Sequence, residues 1–287
     1  ACSTSPLFLT CNRGSCSFPP PANDVCSSAT EINLAAGSRI ALSASTLFAN
    51  HDLNAPCAGV GGADVFYRFT LTRREFVYAD TFGASWDTKL FFATSCTTPL
   101  VRSTRAGEAL CNDNRGLSCT MGGNASQVVA VLDPGTYYLV LTVQAGSGGS
   151  ATINFEHLPT GNGNISYLSA GRVIYSGVTS GSSGLSSSCG GSGPENSYFW
   201  VTCPGAAGGT FSASTCSRAT WDTLLHLSHG SGTGAACNQN STSCGTSSLQ
   251  SVLSTTVPAG QGLHAFFVDG WGGAQGSYSV DVTRPLT

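Results

Sequence analysis

Trp86-Asp87-Thr88-Lys89-Leu90-Phe91-Phe92 recurs as Trp221-Asp222-Thr223-Leu224-Leu225-His226-Leu227. Downstream of the first copy lies Cys111-Asn112-Asp113-Asn114, and downstream of the second lies Cys237-Asn238-Gln239-Asn240. A further cysteine follows each, Cys119 and Cys244. The rest of the chain lines up around these anchors. It therefore reads as one unit used twice: an arm over residues 1–22, a first unit over 23–159 and a second over 160–287.

Both units are patterned as strands. Val65–Leu71, Phe76–Asp80, Thr88–Ala93, Gln127–Leu132, Thr136–Val143 and Ala151–Glu156 are rich in β-branched and aromatic residues. Asn196–Thr202, Gly209–Ser214, Leu263–Gly270 and Ser277–Thr283 repeat the series. Asp133-Pro134-Gly135 and Val257-Pro258-Ala259-Gly260 supply matching turns, with Pro presetting φ and Gly accepting positive φ. No segment keeps a 3.6-residue period, and Gly and Ser interrupt the apolar runs. The expected fold is all-β: two tandem jelly-roll-like β-sandwiches, rich in disulfides.

Composition narrows the function classes. Of 287 residues only 9% are charged, and the net charge is −3. Lys89 is the only lysine. With no basic patch, neither nucleic acid nor an anionic membrane surface is an expected partner. No apolar run approaches the ~20 residues of a membrane span. The sequence opens at Ala1 and its only methionine is Met121, so a removed secretory signal is expected. Thirteen cysteines without zinc-ligand spacing point to disulfides in an oxidising compartment, secreted or at the cell surface.

Thirteen is odd, so at least one thiol is free or bonds another chain. The second unit alone holds five cysteines, Cys189, Cys203, Cys216, Cys237 and Cys244. Either a bond crosses between units or the unpaired thiol lies there. Cys111 with Cys119, and Cys237 with Cys244, are the expected local bridges. Cys57 and Cys189 occupy matching positions, with different partners expected. Cys11 and Cys16 are expected to clip a loop around Gly14, and Ser5–Thr10 to form a short strand. The arm ends in a stiff Pro19-Pro20-Pro21 spacer.

The ordered series Asp64-Val65-Phe66-Tyr67-Arg68-Phe69-Thr70-Leu71, Trp86-Asp87-Thr88, Cys111-Asn112-Asp113-Asn114 and Leu132-Asp133-Pro134-Gly135-Thr136-Tyr137-Tyr138 resembles the bacterial pre-peptidase C-terminal domain family. The second unit resembles the cysteine-containing forms common in secreted proteins of GC-rich bacteria such as myxobacteria. The resemblance covers nearly all of residues 23–287. It implies a jelly-roll-like sandwich that accompanies secreted hydrolases without catalysing, sometimes binding calcium or matrix polymers. Residues 1–287 themselves carry no hydrolase motif, so the accessory role that the resemblance implies is not the leading expectation.

Few constellations suggest chemistry. Asp87, Asn112, Asp113 and Asp222 are candidate calcium ligands, as hard oxygens gathered from loops at one end of a sandwich. Asn114, Glu31 and Asp64 are further contributors, and Asn238 and Asn240 stand beside Asp222. The alternative is that Asp87 and Asp222 cap turns. No G-x-S-x-G elbow, zinc motif or carboxylate-rich pair points to catalysis. At strand period His226 and His229 face opposite sides. Trp86 and Trp221 read as core packing, and Trp271, among glycines, as an exposed contact.

The expected function is a non-catalytic secreted structural protein, a subunit of a fibre, appendage or surface layer. It would assemble with copies of itself through the arm, an interchain disulfide, or both. The alternative is an accessory module that binds carbohydrate or protein beside secreted hydrolases, with calcium as its candidate ion.

Overall fold

The computed structural model describes residues 10–12, 15–57, 61–101, 103, 105–114, 119, 123–144, 148–230, 235–245 and 248–286. Apart from three single-turn 3-10 segments, its regular elements are strands. A hairpin, β1 (Thr10–Asn12) with β2 (Ser15–Ser17), sets Cys11 opposite Cys16 in register. The remainder of the expected Ser5–Thr10 strand lies outside the described residues.

The first sandwich comprises β3 (Thr30–Glu31), β4 (Ser38–Ser45), β5 (Asp64–Leu71), β6 (Glu75–Asp80), β7 (Thr88–Ser95), β8 (Thr98–Pro99), β9 (Cys111–Asp113), β10 (Gln127–Leu132), β11 (Gly135–Val143) and β12 (Ser150–Pro159). The second comprises β13 (Ile165–Tyr167), β14 (Gly171–Val178), β15 (Asn196–Thr202), β16 (Gly209–Ser214), β17 (Thr223–His229), β18 (Ala236–Gln239), β19 (Val252–Val257), β20 (Gly262–Gly270) and β21 (Ser277–Arg284). The expected strands lie within these. The edge strands β4 and β14 were not among them.

The two bodies share one topology. In the first, β3-β5-β11-β7 carries β8 and β9 beside β7, and faces β10-β6-β12-β4. In the second, β13-β15-β20-β17-β18 faces β14-β21-β16-β19. Even the short parallel pairs match, β3 on β5 and β13 on β15. Each interior is apolar: Phe69, Phe92, Leu141 and Phe155 in the first, Trp200, Phe211, Phe266 and Val280 in the second.

The sandwiches are stacked rather than strung apart. Phe76, Tyr78, Val129 and Leu158 leave the outer face of the first and pack on Phe199, Val201, Leu263, Ala265 and Phe267 of the second. Phe76 and Phe199 meet at 5.1 Å between ring centroids. The result is four sheet layers with three apolar interlayers. The outer face of β5, β7 and β11 is covered by the chain around Cys26 and Leu53.

Among the described residues five disulfides join Cys26 to Cys96, Cys57 to Cys111, Cys119 to Cys203, Cys189 to Cys237 and Cys216 to Cys244. The expected local bridges are thereby corrected. Cys111 lies across from Phe91, on the face that the loop carrying Leu53 and Cys57 covers. Its neighbour is therefore Cys57, not Cys119. Cys237, across from His226, meets Cys189 in the equivalent way. Cys57 and Cys189 thus have equivalent partners, contrary to expectation. Cys119 crosses the seam to Cys203, which resolves the odd count in the second unit. None of the ten cysteines from Cys26 to Cys244 is free. Five bridges are the mark of an oxidising, extracellular setting.

Candidate functional site

The repeated motif holds each fold together. The indole N–H of Trp86 donates to the Ser150 carbonyl at 2.9 Å, and that of Trp221 to the Ser277 carbonyl at 2.9 Å. Gly149 and Gly276 let the indoles approach, since a Cβ at either would sit within 3.0 Å of the ring. Thr88 pairs with Thr81 at 2.6 Å and Thr223 with Thr215 at 2.7 Å, through buried hydroxyls. Ser126 and Ser251 complete these networks by donating to the carbonyls of Thr88 and Thr223.

The Cys-Asn-x-Asn element has an equally local role. The Asn112 side-chain carbonyl accepts the Gln127 N–H at 3.1 Å, and that of Asn238 accepts the Val252 N–H at 2.9 Å. Each amide clips the first residue of an outer strand, β10 or β19. Asn114 and Asn240 both adopt left-handed backbone, at φ 61° and 56°. Asn tolerates this region better than most residues. Conformation and edge closure account for both asparagines.

The calcium candidates are unevenly gathered. In the first sandwich Asp87 and Asp113 lie around Lys89, whose register partner across β7 and β9 is Asp113. Asn114 donates its amide to Asp87 at 2.9 Å and to the Gly123 carbonyl at 2.9 Å. Lys89 is fully buried, and burial draws its ammonium below the ordinary range while the two carboxylates oppose that. Burial pushes the Asp113 carboxyl up, and Lys89 resists. An ammonium therefore stands where the candidate ligands converge. In the second sandwich the matching positions are Leu224 and Gln239. Asp222 stands apart from other charges, its carboxyl raised by burial alone. Among the described residues no three His, Cys, Asp or Glu side chains gather closely enough to hold a metal ion. Asp64 lies buried on β5, accepting the Asp52 and Leu53 N–H groups, with its carboxyl pushed up to about 7 by desolvation. Glu31 pairs with Arg68 at 2.6 Å.

The other aromatics stand in separate settings. Trp200 is buried, stacked on Phe211 at 5.6 Å and on His264 at 4.9 Å. Trp271 is 42% exposed. His226 lies flat on Phe267 at 4.4 Å, its pKa pushed down to about 3 by burial. His229 instead meets His264, so the two histidines do face opposite sides.

One polar cluster had no motif to announce it. At the seam, Glu156 of the first sandwich accepts the Leu263 N–H at 3.0 Å, and Arg39 donates to the Gln261 carbonyl at 2.8 Å. Arg39 also pairs with Glu156 at 3.1 Å and faces Asp80 at 3.8 Å. Tyr78 donates to Asp80 at 2.8 Å, and Asn154 does so at 2.8 Å. Arg39, Glu156, Gln261 and Leu263 border a cavity of about 260 Å3 that reaches His229 and His264. Burial pushes Glu156 up to about 7, opposed by the Leu263 N–H and Arg39. Its only sequence signal is a lone carboxylate, Glu156, in a strand that alternates apolar Ile153 and Phe155 with uncharged Thr152 and Asn154. The cluster fastens the two bodies in one orientation.

No family model matches this chain. No curated protein matches it either. Among solved structures, a putative secreted protein from Eubacterium rectale is similar at 12% identity, over 78% of this chain and 70% of that one, with a TM-score of 0.23. A Paenibacillus xanthan lyase is similar at 14% identity, over 96% of this chain but 28% of that one, with a TM-score of 0.23. Likenesses this low carry no argument about function. What stands is an all-β chain of two sandwich-like bodies, duplicated in topology and stapled by five disulfides.

Proposed function

We propose that this protein is a non-catalytic extracellular structural subunit, of the pre-peptidase C-terminal type, that assembles with copies of itself through its N-terminal arm. One observation carries this reading. All ten cysteines beyond the arm close on one another in five bridges. Of the thirteen, only Cys2, Cys11 and Cys16 remain, all within the arm. Three cysteines cannot all pair with one another, so within residues 1–287 the odd sulfur belongs to the arm. The stacked, cross-bridged sandwiches supply a rigid body, and the low surface charge limits repulsion between neighbours.

The same arithmetic limits covalent assembly. Cys11 faces Cys16 across the hairpin register. A bridge there leaves Cys2 alone, and one thiol per chain joins two chains and no more. Longer assemblies then need a non-covalent contact.

The test is electrophoresis of secreted material with and without reducing agent, beside intact mass, thiol counting and size exclusion. The expected result is a two-chain species that collapses on reduction, within larger non-covalent assemblies. A monomer with one titratable thiol and no larger species would refute the reading. The alternative, an accessory module for a glycan or matrix polymer, rests on exposed Trp271. It predicts a monomer retained by insoluble polysaccharide and released by Trp271→Ala.

A further inference from the structure

We propose that the free edge of β14 receives the arm of a second copy, with Leu7-Phe8-Leu9 adding as a strand beside Arg172, Ile174 and Ser176. This rests on the assembly reading above and names its contact.

Backbone register defines the edge. The Thr179 N–H donates to the Gly276 carbonyl at 3.0 Å, which continues the pairing of β14 with β21 by one residue. In an antiparallel pair, hydrogen-bonded positions alternate with non-bonded ones. Residues 171, 173, 175 and 177 therefore bond β21, while Arg172, Ile174, Ser176 and Val178 turn their N–H and C=O groups outward. The Val178 carbonyl accepts the Asn196 amide at 3.1 Å. Among the described residues the outward backbone groups of Arg172, Ile174 and Ser176 have no hydrogen-bond partner. An exposed row of this kind is a template for another strand.

Comparable edges are closed at least in part, β19 only at its first residue, Val252. β10 is clipped by Asn112 and by Glu108, which accepts the Val131 N–H at 2.9 Å. β19 is clipped by Asn238. The strand equivalent to β14 is β4. There the Ser43 carbonyl accepts the Tyr67 hydroxyl at 3.1 Å, and Pro21 and Asn23 border the groove beside Ser43 and Ser45. Arg39, at the start of β4, is committed to the seam. β14 has no such cover.

The chemistry of edge and arm agree. Ile174 and Val178 are 51% and 52% exposed, on one face of the edge. In an added strand Leu7 and Leu9 share a face and Phe8 takes the other. Arg172 is engaged by Asp281 at 2.6 Å, so the edge presents no free charge to an incoming strand. Residues 3–12 carry none.

The same chain's arm is anchored beside β4, in a different sheet from β14. The hairpin returns Thr10 to Ser17, and Phe18 stacks on Phe48 at 4.6 Å, just after β4. β14 lies in the outermost sheet, two sheet spacings beyond the one that holds β4, or about 20 Å. Leu7–Leu9 hang from Thr10 by three residues, which span about 10 Å at most. A contact between unlike surfaces of two copies propagates as an open chain.

The test uses the full chain with Cys2→Ser, which removes the covalent route, followed by sedimentation velocity. The Cys2→Ser chain should still polymerise. Adding Ser176→Pro removes one outward N–H without touching the β21 ladder, and adding Phe8→Asp spoils the arm. Each should sediment as a monomer. Their equimolar mixture should form a two-chain species and stop, since one supplies an arm and the other an edge. Ile174→Lys serves in place of Ser176→Pro if melting shows that the proline variant is misfolded. Polymers of undiminished length from both edge variants would overturn the β14 contact and leave assembly standing. A parent chain monomeric at all concentrations would overturn both.

Discussion

Phe199→Ala measures how firmly the two sandwiches are joined. Phe199 is fully buried, with Phe76 at 5.1 Å and Tyr167 at 5.6 Å between ring centroids. It sits on the face of β15 turned away from its own sandwich core. In independent bodies it would be a surface aromatic, and its loss would change stability by about 0.5 kcal/mol or less. In the stack its loss opens a cavity in a packed interlayer, at about 3–5 kcal/mol. At about 2–4 °C per kcal/mol for large chains, melting should fall by on the order of 10 °C. Phe211→Ala, inside the second sandwich, is the reference and should cost a similar amount. Calorimetry with disulfides intact reads both variants. A loss below about 1 kcal/mol for Phe199→Ala, beside a full loss for Phe211→Ala, would refute a packed seam.

Other outcomes follow from particular residues. Asn112→Ala and Asn238→Ala each strand a backbone N–H at an outer strand, costing about 1–2 kcal/mol by urea unfolding. The two should add, since they lie in different bodies. Lys89→Leu leaves Asp87 and Asp113 without their buried cation, and Asp113→Gln should restore part of the loss. A coupling of about 1–3 kcal/mol in that double-mutant cycle is expected, and additivity would remove the charge argument. Glu156, Asp64 and Asp269 are each pushed up to about 7 by burial. The folded state holds their protons more tightly than the unfolded chain does. Their contribution is therefore greatest below the ordinary carboxylate range and is lost as pH rises through about 7, by at most about 1.4 kcal/mol per group for each pH unit between the two pKa values. Melting temperature should fall between pH 5 and pH 8, and Glu156→Gln should flatten part of that fall.

Much of the architecture was legible because strand patterning and turn chemistry are local. Asp133-Pro134-Gly135 announces its turn wherever it occurs, and the repeated Trp-Asp-Thr exposes the duplication without any knowledge of contacts. One further signal was present. Phe76-Val77-Tyr78-Ala79 and Leu263 through Phe267 are nearly unbroken apolar runs, as befits strands buried on both faces. They announce that each sandwich has a covered outer face, but not what covers it.

The candidate site was less legible. Asp87, Asn112 and Asp113 have the residue types of a cation site, yet Asn112 clips a strand edge and Lys89 stands among the carboxylates. Residue type sets what a group is able to bind, whereas its neighbours decide what it does bind.

The sequence by itself determined the all-β class, the duplication, the oxidising setting and the parity of the cysteines, since each depends on composition or short-range pattern. Only the tertiary structure decided that Cys119 meets Cys203, that Phe76 meets Phe199 and that Glu156 reaches Leu263. Those partners lie 84, 123 and 107 residues apart. At such separations spacing carries no information, and the packing of whole sheets selects the partner.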